Sequence, residues 1–219
     1  MVSFTNQGLK EFPQNIQNNI EKLDLSHNNF TGIPKIIGSM TNLRSLILSY
    51  NQIESLPDIF SNLPKLEVLD CSSNNLRELP ESLGALKNLK QLKLFGNNLT
   101  GSLSILSNLP SLERLDLGNC NINEVDINFT NLTKISYLSL RKNKLSSLPE
   151  SIEKLRNLKI LAIGENIFNE LPLRIEYMHS IERIHMENNP MFLKSRVATG
   201  KFIADFKKRK REKAQEKRK

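Results

Sequence analysis

Cysteine, glycine and long apolar runs are all scarce in this chain, and each scarcity removes a class of protein. Its 219 residues hold two cysteines, too few for a disulfide framework, so the fold has to rest on a buried apolar core. The nine glycines stand singly and form no glycine-rich loop of the kind that cradles phosphate. No apolar run approaches the roughly 18 residues that a membrane helix needs. The opening stretch, Met1 to Phe12, lacks the basic-then-apolar order of a secretory signal. These absences predict a soluble, intracellular protein. Acidic charge is short only at one end. The chain carries 31 Lys and Arg against 23 Asp and Glu, a net charge of +8, and residues 207–219 alone contribute nine basic and two acidic side chains. The body is nearly neutral, and the basicity sits in a tail.

What the chain has in abundance is leucine at a fixed interval. The pattern Leu-x-x-Leu-x-Leu-x-x-Asn-x-Leu fits eight times, beginning at Ile20, Leu43, Leu66, Leu89, Leu112, Ile135, Leu158 and Ile181, with every interval 23 residues. A truncated copy precedes them, in which Val2, Phe4, Gln7 and Leu9 occupy the later positions of the same frame. Within each copy the Leu-x-Leu stretch has the two-residue period of a short strand, so Leu23 and Leu25 face inward and Asp24 outward. The ladder position holds Asn28, Asn51, Asn74, Asn97, Cys120, Asn143, Asn166 and Asn189, where an amide can bond backbone groups that would otherwise be buried unpaired at about 1–3 kcal/mol each. A second apolar set follows, often as Leu-Pro or Ile-Pro: Ile33-Pro34, Leu56-Pro57, Leu79-Pro80, Leu148-Pro149 and Leu171-Pro172. Proline cannot donate to a ladder and suits the side of the coil away from the sheet. The fourth and fifth repeats carry Ser102 and Asp126 in place of that element, which predicts an irregular stretch on the outer side. No single repeat can bury its apolar face, whereas stacked repeats share one core.

These residues resemble the leucine-rich repeat family, over residues 1 to about 193. The resemblance implies an α/β solenoid, curved, with a parallel β-sheet on the concave face and nine coils counting the truncated first one. The 23-residue length with its Leu-Pro signature is similar to an intracellular subgroup of Ras-suppressor-like and Ras-scaffold proteins, and more distantly to regulators of type 1 protein phosphatase. The ending Asn188-Asn189-Pro190 also resembles the last repeat of that subgroup. The chain therefore divides into a solenoid over 1–193, a C-terminal cap helix over 194–206, where Phe202 and Phe206 share a helical face, and a basic tail over 207–219.

The tail has too few apolar residues to pack. Its cluster Lys207, Lys208, Arg209, Lys210 and Arg211 reads as a solvated extension, a nuclear-import signal, or a contact for anionic membrane, an acidic protein or RNA. With no aromatic interleaved there, base stacking has no support. Cytoplasmic localisation is expected, with the nucleus open if that cluster is an import signal.

Catalytic constellations are missing from the repeat frame. His27 and His185 belong to the first and eighth full repeats, roughly 34 Å apart at strand spacing, and His179 falls on the outer side. Cys71 takes an inward leucine position and Cys120 an asparagine position, both structural. No enzyme activity, metal or cofactor is expected. The segment Val2-Ser3-Phe4 approaches a phosphatase-docking motif but lacks its basic residue, and Val2 and Phe4 fit the inward frame.

The outward positions of the strands remain. They form stripes: Asp24, Ile47, Asp70, Lys93, Asp116, Ser139, Ala162, His185; then Ser26, Ser49, Ser72, Phe95, Gly118, Arg141, Gly164, Glu187; then His27, Tyr50, Ser73, Gly96, Asn119, Lys142, Glu165, Asn188; and Lys22, Ser45, Val68, Gln91, Arg114, Tyr137, Ile160, Arg183. Lys93 between Asp70 and Asp116 neutralises part of the first stripe, and Phe95 stands exposed between the small Ser72 and Gly118. Aromatic and Arg side chains dominate interface hot spots, so Tyr50, Phe95, Arg114, Tyr137, Arg141 and Arg183 are the expected protein-binding residues. The family resemblance implies a protein partner, a Ras-like small GTPase or a serine/threonine protein phosphatase catalytic subunit. No small-molecule substrate is expected, and nucleic acid or anionic lipid only through the tail.

Overall fold

The computed structural model describes residues 1–14, 16–170, 175, 178–191, 204 and 208. The expected cap helix over 194–206, the basic tail over 207–219 and the Leu171-Pro172 element lie outside the described residues, except for Ala204 and Lys208.

Nine strands form one parallel sheet in chain order: β1 (Val2–Ser3), β2 (Lys22–Asp24), β3 (Ser45–Ile47), β4 (Val68–Asp70), β5 (Gln91–Lys93), β6 (Arg114–Asp116), β7 (Tyr137–Ser139), β8 (Ile160–Ala162) and β9 (Arg183–His185). The register follows the 23-residue interval without a slip, pairing Leu23 with Leu46, Leu46 with Leu69, and on to Leu161 with Ile184. Each central residue points into the core and its two neighbours point to the concave face. The truncated first copy is a true coil: Val2 pairs with Leu23, and Val2, Phe4, Leu9, Phe12, Ile16 and Ile20 pack against the core while remaining half-buried.

On the convex side the coils carry short 3-10 helices: Lys35–Ser39, Phe60–Asn62, Glu81–Ala85, Ser104–Asn108, Phe129–Asn131 and Glu150–Lys154. Pro34, Pro80 and Pro149 each stand immediately before one, with φ of −76°, −72° and −64°. The ring presets that angle and forfeits only an N–H that no ladder needs. Before Phe129–Asn131, where the proline is missing, Asn128 caps instead, its side chain accepting a bond from Thr130 N–H at 3.0 Å. The irregularity expected at Ser102 and Asp126 is an ordered contact. The Ser102 hydroxyl donates to the Asp126 carboxylate, which also accepts Leu103 N–H at 2.8 Å and so ties two successive coils together.

The asparagine ladder holds the turns. Asn51 Nδ2 lies 3.0 Å from the carbonyls of Leu25, in the preceding coil, and Leu48, in its own, while its Oδ1 accepts Phe30 N–H at 3.1 Å. Asn74, Asn97, Asn143, Asn166 and Asn189 repeat the pattern of donating to both coils. Cys120 supplies only half of it. Its Sγ lies 3.1 Å from Leu94 O, but a thiol is a poor acceptor, so Leu99 N–H turns to the Cys120 carbonyl at 3.0 Å. Asn143 Oδ1 then accepts both Cys120 N–H and Ile122 N–H at 3.0 Å. Asn28 does the same for Gln7 and Leu9, the other coil whose ladder residue is not asparagine. Among the described residues no buried side-chain nitrogen or oxygen is left without a partner.

Candidate functional site

The concave wall is built from the first and third residues of each strand and the two or three residues that follow it. The first and fourth stripes read from the sequence are strand registers, Asp24–Ile47–Asp70–Lys93–Asp116 and Lys22–Ser45–Val68–Gln91–Arg114 among them. The third stripe is not on the strands. His27, Tyr50, Ser73, Gly96, Asn119, Lys142, Glu165 and Asn188 all have φ between 52° and 71°, the left-handed turn that ends each strand. Only glycine and, less so, asparagine adopt it cheaply, and this stripe holds Tyr, Lys and Glu as well.

Asp24, Asp70 and Asp116 have a local task. Each carboxylate accepts the N–H of the residue two positions on, at 2.9, 3.0 and 3.0 Å, as the strand runs into its turn. The neutralisation expected of Lys93 is present, its Nζ lying 3.1 Å from Asp70.

The six expected binding residues fall into groups. Tyr50 is 56% exposed, and its ring stacks on His27 with centroids 4.3 Å apart and planes 10° apart. Phe95, two strands further along, is 38% exposed and leans over Gly118, where a Cβ would come within 3.0 Å of Phe95 Cδ2. The small neighbour is thus the bed on which the ring lies. Arg114 sets its guanidinium 4.3 Å from the centre of the Tyr137 ring on the adjacent strand, leaving Tyr137 half-buried. Arg141 is engaged by Glu165, with Nε 2.7 Å from Oε1, and Lys142 reaches the same carboxylate at 3.8 Å. Arg183 is exposed on β9, apart from the others. The structure therefore brings Arg114 and Tyr137 together on adjacent strands, pairs Arg141 with Glu165 beyond the end of β7, and sets Tyr50 and Phe95 two coils apart on the same wall. His27 and Glu165 complete these groups, though neither stood out in the sequence.

Chemically reactive groups are held apart. Burial pushes the Cys71 thiol far up, and desolvation pushes the Cys120 thiol up to about 11, so both stay neutral at ordinary pH. Among the described residues no three His, Cys, Asp or Glu side chains gather as a metal-binding group, and no helix is long and apolar enough to cross a membrane. A polar groove of about 1110 Å³ runs along the loop edge beside the ladder, lined by Arg77, Asn98, Asn121, Lys142 and Lys144 among others.

Comparison with known proteins agrees with this architecture. The family model described as leucine rich repeat matches residues 18–76, 41–99 and 110–168. A solved leucine-rich repeat protein of Leptospira interrogans is 29% identical with a TM-score of 0.69, covering 86% of this chain and 60% of that one. The ectodomain of the Arabidopsis receptor kinase HAESA, solved with a peptide hormone ligand, is 31% identical with a TM-score of 0.66, covering 76% of this chain and 30% of that one. In sequence, 45 residues are 60% identical to Ras guanine nucleotide exchange factor V of Dictyostelium discoideum, which is 20% of this chain and 2% of that protein. The chain thus spans less than two thirds of the length of each of these proteins. Period, sheet and family model agree: the chain belongs to the leucine-rich repeat family.

Proposed function

We propose that this chain is a non-catalytic scaffold that docks a signalling protein on its concave wall, the partner being a Ras-like small GTPase or a serine/threonine protein phosphatase catalytic subunit. The observation that carries the reading is that Tyr50, Phe95, Arg114, Tyr137 and Arg141 all lie along the concave wall, on the parallel strands or in the turns that follow them. Aromatic and Arg side chains bury much area at modest entropic cost, and a wall fixed in advance loses little freedom on binding. The leucine-rich repeat fold is in general a protein-interaction scaffold, and the HAESA neighbour with its peptide hormone is an instance. The Ras-like choice draws support from the short identity with an exchange factor for Ras. The phosphatase choice rests on the sequence resemblance alone.

The test uses purified proteins. Titration of the full chain with a Ras-like GTPase, in its two nucleotide states, and with a type 1 phosphatase catalytic subunit should give binding to one of them. Phe95→Ala and Arg141→Glu should each weaken that binding tenfold or more. Binding to neither, or binding indifferent to both substitutions, rejects the proposal.

A second reading is favoured by the concentration of basic residues in 207–219. In it the tail, through Lys207 to Arg211, delivers the solenoid to the nucleus, to nucleic acid or to anionic membrane. Such binding should collapse between low and moderate salt and vanish in a chain ending at residue 206, whereas docking on the wall should survive both.

A further inference from the structure

The concave wall is not uniform along its length. Tyr50 follows β3 and Phe95 follows β5, so their coils are separated by the single coil of β4. His27 covers one face of the Tyr50 ring from the β2 side, in a near-parallel stack. The opposite face therefore looks toward β4. Phe95 leans the other way, over Gly118. What lies between the two rings is small: Ser72 and Ser73, with Gly96 beside them. The floor's own amides are already committed, Ser73 N–H to Phe95 O at 2.6 Å and Gly96 N–H to Gly118 O at 2.9 Å. On the strand side this floor is bordered by Asp70, paired with Lys93, and by half-buried Ile47 beside it. Two strand spacings are about 10 Å, wide enough to admit one aliphatic or aromatic side chain between the rings.

Beyond this slot the wall turns cationic. Formal charges nearly balance there, but their depths differ. The side chains of Lys93, Arg141 and Lys142 are 42%, 48% and 47% exposed, while their partners Asp70 and Glu165 are 11% and 27% exposed. The carboxylates sit low, bonded to backbone or to those cations, and the cationic heads project. An approaching surface meets Lys93, Arg141 and Lys142 before their carboxylates.

We propose that the wall reads an extended acidic segment of its protein partner, seating one apolar side chain of that segment between Tyr50 and Phe95 and a carboxylate on Arg141. The reach is set by coil spacing. Arg141 shares the phase of Ser72 and Phe95, so from the slot at β4 it is three spacings away along the wall, about 14 Å, which an extended chain covers in about four residues. The recognised pattern is an apolar residue with Asp or Glu four positions away, on the same face of the extended segment. This inference rests on the wall being the docking face and specifies what that face selects.

The experiment is a selection of random nine-residue peptides displayed on phage against the immobilised full chain, followed by affinity measurement on the recovered peptides. The expected result is enrichment of an apolar residue with an acidic residue at that spacing. Recovered peptides should bind tenfold or more weakly to a Tyr50→Ala/Phe95→Ala chain and to Arg141→Glu. Ser72→Phe, which fills the slot and leaves both rings in place, should weaken binding as much as removing them. Arg77→Glu, in the loop-edge groove, should leave it unchanged. Thermal unfolding of each variant shows that it is folded. Recovery of no peptides, of peptides without the pattern, or of patterned peptides that ignore the Tyr50, Phe95 and Ser72 changes overturns the proposal. If that happens while the GTPase or phosphatase still loses binding on Phe95→Ala and Arg141→Glu, docking on the wall stands and this selectivity does not.

Discussion

Ser102 and Asp126, 24 residues apart, hydrogen-bond across two successive coils at the places where each lacks the Leu-Pro element of its neighbours. The Asp126 carboxylate also accepts Leu103 N–H, so it substitutes for a rigid proline with two polar links.

That arrangement makes the two residues unequal. Ser102→Ala removes the link to Asp126 and the contacts of the same hydroxyl with Ser104, all at the surface where water replaces them, and should cost about 0.5–1 kcal/mol. Asp126→Ala also strips the partner from the partly buried Leu103 N–H and should cost about 1–2 kcal/mol. In a double-mutant cycle read by urea unfolding, the two changes should be non-additive. Additive losses would mean that the contact is not formed in solution.

The ladder can be tested at its gap. Cys120→Asn restores an acceptor for Leu99 N–H and a full set of donors, and should raise stability by about 0.5–1.5 kcal/mol in equilibrium unfolding. Asn97→Ala, which abandons the Cys71 and Leu94 carbonyls and Leu76 N–H together, should be among the more destabilising single changes, at about 2–4 kcal/mol.

The left-handed turn at the end of each strand predicts opposite outcomes for opposite exchanges. Gly96→Ala, at φ 71° and with Ser73 backbone about 3.5 Å from the new methyl, should destabilise by about 1–2 kcal/mol. Ser73→Gly, at φ 53°, should instead raise the unfolding midpoint, by about 0.5–1 kcal/mol in stability.

Glu67 governs one acid-sensitive contact. Hydrogen bonds from Lys90 and then Arg44 hold its carboxyl below the ordinary value of 4.5. A lowered folded value means that its contribution is present above about pH 4.5 and is lost as pH falls through that lowered value. Glu67→Gln should flatten stability against pH in that acid window and nowhere near neutrality. The Lys90 ammonium, raised by the same contact, behaves in mirror image: its contribution holds below the ordinary 10.5 and fades as pH climbs past the raised value.

Much of this architecture was readable beforehand. The pairing of Leu46 with Leu69 and the burial of Asn74 follow from a period of 23, because equal coil lengths leave only one register in which every leucine is inside. The exposure of Tyr50 and Phe95 followed from the same frame. The frame placed the third stripe on the sheet, whereas it lies in left-handed turns. It also treated Ser102 and Asp126 as a local irregularity, because each was compared only with residues at the same phase.

By itself, then, the sequence determined the coil length, the strand register and which side chains face the core, since these depend only on periodicity and on the cost of exposing leucine. The tertiary structure alone decided which outward side chains touch. Arg141 bonds Glu165 and Ser102 bonds Asp126 across 24 residues rather than 23, a diagonal step that periodicity does not display. Phe95 lies over Gly118 and His27 on Tyr50 because each ring settles on whichever neighbour leaves it room. Those choices turn on distance, shape and charge between coils, which exist only once the coils are stacked.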